Sequence, residues 1–118
     1  APVGIDIEQA NTAPPEELLS AVLHPYDHFT PKPTSPTERF YTAWTLKEAV
    51  SKGLGIGLAL PFAQLRLEPT APARYRCRYR DEPWHAGRRR LEDGAHLAFA
   101  SLTSWSKIRL LRIQQILS

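Results

Sequence analysis

The period of apolar and polar positions changes several times along the chain, and each change marks an element. Residues 3–8, VGIDIE, alternate strictly, with Val3, Ile5 and Ile7 on one side and Gly4, Asp6 and Glu8 on the other. That period of two is the signature of a strand. The apolar side reads as the core side, leaving two carboxylates together on the other face, where solvent or a cation must relieve their repulsion. Beyond a turn-rich connector, Pro14-Pro15-Glu16-Glu17 opens a short helix, with proline in the first turn and acids at the positive helix end. Leu18, Leu19, Val22 and Leu23 supply its apolar stripe and Pro25 stops it. His24 to Thr37 carries four prolines and no periodicity, so it reads as a loop. His24 and His28 have the i, i+4 spacing of a metal pair, but the intervening Pro25 argues against a shared helix, and they read as surface histidines.

The period then becomes helical. Thr34 or Ser35, followed by Pro36 and Glu38, offers a capping hydroxyl, an early proline and an early acid. A wheel over Phe40 to Gly57, FYTAWTLKEAVSKGLGIG, places Phe40, Ala43, Val50 and Leu54 on one side. Tyr41, Thr45, Glu48 and Lys52 gather on another, with Trp44 on the border. Gly53 and Gly55 end the helix. Lys47 falls inside the apolar stripe, where it either snorkels to water or meets an anionic ligand. On spacing alone, Glu48 and Lys52 form an exposed helix ion pair.

Strand patterns return after the glycines. Leu58 to Pro61 reads as an apolar connector and Phe62 to Glu68 as a short strand. RYRCRYR at 74–80 sets four arginines against Tyr75, Cys77 and Tyr79. Arg88–Leu91 and His96–Leu102 flank Glu92-Asp93-Gly94, a hairpin signal. Trp105 to Leu117 has no clean period and reads as helix or extended chain. The order of strand, helix, loop, long helix and several strands predicts one α+β domain over residues 1–118, a mostly antiparallel sheet packed against a long helix.

Composition narrows the class without naming it. The 42% hydrophobic and 23% charged residues are ordinary for a soluble globular chain. Cys77 is the only cysteine, so no internal disulfide forms, and a reducing, cytoplasmic setting is expected. No apolar run approaches membrane-spanning length, so no membrane partner is expected. The net charge is +3, and seven of eleven arginines lie between Arg74 and Arg90. That concentration points to an anionic partner.

GIDIE at Gly4–Glu8, WTLKEAVSK at Trp44–Lys52 and G-x-G at Gly55–Gly57 together resemble the 4'-phosphopantetheinyl transferase superfamily. Glu8 and Trp44 are similar to the longer type, which activates nonribosomal peptide and polyketide synthetases, and residues 18–27 resemble its intervening helix, with Asp27 where glutamate is usual. The resemblance implies transfer of the phosphopantetheine arm of coenzyme A to a serine of an apo acyl or peptidyl carrier protein. It implies Mg2+ held by Asp6, Glu8 and Glu48, with Glu48 taking the serine proton. Lys52 would serve the departing phosphate, and Lys47 the coenzyme phosphates. The longer type has two similar halves around one active site, and this chain resembles the C-terminal half. A missing half, or a second copy in a homo-oligomer, would then supply the other wall.

Two other readings stay open. A half-domain that binds coenzyme A or a carrier protein without turnover fits the same residues. A metal-dependent nuclease would also use acids, a lysine and basic residues, but the lysine of such enzymes usually sits on a strand beside the acid. Nucleic acid is therefore not the expected partner.

Overall fold

A computed structural model of the chain describes residues 3–10, 12–55 and 61–102. Strand β1 (Val3–Glu8) is followed by helices α1 (Glu16–Val22) and α2 (Pro36–Leu54), then by β2 (Leu67–Ala71), β3 (Arg74–Tyr79), β4 (Glu82–Arg90) and β5 (His96–Ser101). Local chemistry sets the limits of α2. The Ser35 hydroxyl accepts the Glu38 N–H at 3.1 Å, Pro36 occupies the first turn, and Gly55 closes the helix in the left-handed region at φ 78°. Gly53 stays helical. It is a packing residue, because a Cβ there would lie 2.6 Å from the Trp84 ring.

The strands form one antiparallel sheet in the order β1-β5-β4-β3-β2. The described residues thus form an α+β fold, with two α-helices and five antiparallel strands. Helix α2 crosses β1, β5 and β4, and α1 packs on α2 and on a 3-10 turn at Phe62–Gln64. Because α2 is covered on two sides, its buried surface is wider than one stripe and takes in Thr42, Thr45, Lys47 and Ser51 beside Phe40, Ala43, Leu46 and Val50. Tyr75, Cys77, Trp84, Ala86, Ala98 and Ala100 complete the core from the sheet. Burial pushes the Cys77 thiol up to about 12, so it stays protonated and inert.

The faces of β1 are the reverse of the sequence expectation. Gly4 and Asp6 are buried, whereas Val3, Ile5 and Ile7 are 47%, 36% and 45% exposed. The cause is the approach of α2: a Cβ on Gly4 would collide with the Ala49 carbonyl oxygen. Only a strand with glycine at that point can lie this close to the helix. Two boundaries also differ. Phe62–Gln64 is a 3-10 turn and the strand begins at Leu67. Strand β4 starts at Glu82, after a turn in which Arg80 and Asp81 take φ 49° and 65°. Leu58, Gly57 and the tail from Trp105 to Leu117 lie outside the described residues. Among the described residues no helix is long and apolar enough to cross a membrane.

Candidate active site

Strand β1 and helix α2 bring most of the singled-out residues to one place. Asp6 and Glu8 point to the helix side of the sheet, and Glu48 and Lys52 reach them from consecutive turns of α2. The spacing of four on the helix and of two on the strand makes this meeting possible. Lys52 Nζ donates to Asp6 Oδ1 at 2.6 Å, so the expected Glu48–Lys52 pair gives way to a tertiary one. Asp6 is 3% exposed, while the Lys52 side chain is 53% exposed. The bridge therefore joins a buried acid to a cation at the surface.

The acids perturb one another. Burial raises the Glu8 pKa above the usual carboxylate range, the Trp44 hydrogen bond opposes the rise, and the Asp6 and Glu48 charges add to it. Burial also raises Glu48, with Asp6 reinforcing the shift and Lys52 countering it. Lys52 is raised, chiefly by its hydrogen bond to Asp6. Three acids thus share one lysine, and Asp6 Oδ2 is buried with no hydrogen-bond partner among the described residues. A hard divalent cation suits that donor set and its surplus negative charge. As placed, however, no group of three or more carboxylate, histidine or cysteine side chains among the described residues closes on one ion.

Lys47 is not brought to this cluster. Its ammonium is fully buried and spends its three protons on Val22 O at 2.7 Å, Asp27 Oδ2 at 2.8 Å and Phe62 O at 3.0 Å. It does not snorkel to water. Asp27 also accepts the His24 and Leu67 N–H groups, so this buried pair ties α1, the connector, α2 and β2 together. His24 and His28 are not a pair: His24 Nδ1 accepts the Tyr26 N–H, and the His28 side chain is exposed.

The arginines divide between the faces. Arg74, Arg76 and Arg78 alternate with buried Tyr75 and Cys77, on the side of the sheet opposite the acids. Arg88 and Arg90 lie on the acid side, where Arg90 is paired through His96 to Glu8 across the strands. His96 is a group that the sequence did not single out. It is buried, neither ring nitrogen has a hydrogen-bond partner among the described residues, and Tyr41 stacks on it at 6.1 Å. Burial, with Arg90 and Arg88 nearby, pushes its pKa down to about 4. Its sequence signal was a polar residue in an otherwise apolar strand. Trp44 was read as a border residue. It hydrogen-bonds Glu8 and lines an apolar recess of ≈ 340 Å³ with Leu18, Val22 and Phe62.

The site is thus a strand acid pair facing a helical Glu-x-x-x-Lys, with a tryptophan one turn before the glutamate. No individual curated protein matches the chain. Residues 2–100 match the sequence profile of the 4'-phosphopantetheinyl transferase superfamily, a span that contains the acid cluster and all of the sheet but Ser101. The chain belongs to the 4'-phosphopantetheinyl transferase superfamily.

Proposed function

We propose that this chain takes part in Mg2+-dependent transfer of 4'-phosphopantetheine from coenzyme A to a serine of an apo acyl or peptidyl carrier protein. The observation that supports this most is the convergence of Asp6, Glu8 and Glu48 around one lysine, within a chain of this superfamily. Asp6, Glu8 and Glu48 would hold the metal, with the unpartnered Asp6 Oδ2 the most available donor. A bound Mg2+ would neutralise charge on the pyrophosphate oxygens. Glu48 is the proton acceptor for the serine hydroxyl, since its raised pKa makes it a stronger base than an ordinary surface glutamate. Lys52, half-exposed and protonated, is placed to meet the departing phosphate once it releases Asp6. Trp44 orients Glu8 through its indole N–H.

Helix α2 is one wall of a cleft. β1 is an edge strand, so beyond it the cluster has no second wall among the described residues. The missing wall would come from another half-domain of the C-terminal/N-terminal pair of the longer type, or from a second copy. The test is mass spectrometry of an apo carrier protein incubated with the chain, coenzyme A and Mg2+. The expected result is a gain of the phosphopantetheine mass that Glu48→Gln abolishes. No gain at any chain concentration would rule out catalysis by this chain alone. A non-catalytic binding half-domain is the second reading, favoured by the position of the cluster beside edge strand β1, open on that side among the described residues. Calorimetry showing Mg2+-dependent coenzyme A binding without transfer would support it.

A further inference from the structure

Helix α1 and the connector to α2 enclose a cavity of ≈ 650 Å³. None of Asp6, Glu8, Trp44, Glu48 or Lys52 lines it, so it is separate from the acid cluster. Its size is that of a small-molecule site. Part of its wall is apolar: Leu19, Leu23 and Phe29 pack against the core from one side and remain only half-buried on the other. Lys32 and Arg39 bring two cations to the same cavity.

Among the described residues no group neutralises those cations. Neither takes part in an ion pair or side-chain hydrogen bond with the described residues. The one carboxylate among the lining residues, Asp27, is already spent: Oδ1 accepts the Leu67 N–H at 2.7 Å, and Oδ2 accepts Lys47 Nζ at 2.8 Å and the His24 N–H at 2.9 Å. Of the nearby hydroxyls, Thr34 donates to the Glu38 carboxylate, and Ser35 accepts the Glu38 N–H and keeps its own proton to donate. The cavity therefore presents unpaired positive charge beside uncovered apolar surface.

We propose that this cavity binds a small amphipathic anion, its carboxylate or phosphate head on Lys32 and Arg39 and a short alkyl body against Leu19, Leu23 and Phe29. An inorganic anion would leave the apolar wall wet, and a neutral apolar molecule would leave both cations without a counter-charge. Arginine suits either head, because its fork meets two oxygens at once. Lysine adds a point charge.

The test is a titration of the isotope-labelled chain, followed by amide chemical shifts, with octanoate, octyl phosphate, inorganic phosphate and octanol in separate arms. Saturable shifts at Leu23, Phe29, Lys32 and Arg39 with octanoate or octyl phosphate are expected, and the tighter of the two identifies the head group. Lys32→Ala with Arg39→Ala should weaken that binding about tenfold or more. Both side chains are exposed, so the variant should keep the parent spectrum. Saturation by inorganic phosphate or octanol as tight as by the amphiphiles would overturn the proposal. So would unchanged affinity in the double variant, shifts centred elsewhere, or no saturable shift in any arm.

Discussion

Lys47 and Glu48 are neighbours in sequence with opposite fates, because successive residues of a helix point about 100° apart. Lys47 is driven inward, where burial lowers its pKa while Asp27 works to keep it charged. Lys47→Met removes the cation and strands a buried carboxylate. Loss of about 3–5 kcal/mol in a denaturation experiment is expected, with part of it recovered when Asp27→Asn removes the orphaned charge. Glu48 sits at the edge of the cluster, where its charge opposes those of Asp6 and Glu8. Glu48→Gln should therefore raise stability at neutral pH while abolishing transfer. Mg2+ should raise the melting temperature of the parent chain by easing the same repulsion, and the gain should shrink in Glu48→Gln. An equal Mg2+ shift in both chains would place the ion elsewhere.

At the level of elements, the seam between β1 and α2 decides where the acids stand. Gly4 meets the Ala49 carbonyl and Gly53 meets Trp84 across it. Gly53→Ala should push the helix from Trp84 and cost about 1–3 kcal/mol. Ser35→Ala, at the far end of the same helix, should cost only about 1 kcal/mol through the lost cap. Both are read by urea denaturation. The ends of α2 were legible in the sequence because a cap and a terminating glycine act within a few residues. The pairing of Asp6 and Glu8 with Glu48 and Lys52 was legible through family resemblance, since spacing alone describes Lys52 as Glu48's partner. The face that β1 turns inward was not legible. Alternation says which residues share a side, but the bare approach of Gly4 to α2 decides which side is buried. The start of β4 was hidden for a local reason: Pro83 and Gly87 interrupt the strand pattern, and the Arg80-Asp81 turn lacks the usual glycine. The placement of Lys47 was not legible because its acceptors come from three separate segments.

Across the whole molecule, the helix side of the sheet carries two sets of ionisable groups that respond to acid with opposite signs. Near one end of α2, His96 lies with Arg88, Arg90 and Glu38, and its pKa is about 4 against an ordinary 6.5. As the pH falls below 6.5 the unfolded chain takes up a proton that folded His96 refuses, so stability is lost through the window down to about 4. Glu8 and Glu48 behave in reverse, because their folded pKa values lie above the ordinary 4.5. The cost of their burial, with the Asp6 charge beside them, weighs fully on the fold above those values and is relieved as protons bind on the way down. In the parent chain the two responses oppose each other, so stability should fall less with acid than the histidine response alone would give. The Glu8→Gln, Glu48→Gln double variant keeps only the histidine response. It should start more stable at neutral pH and fall more steeply with acid. His96→Leu keeps only the carboxylate response and should gain stability over the same interval. Urea midpoints measured across that range separate the three chains, and parallel curves for all of them would show that neither set controls the acid response of the fold.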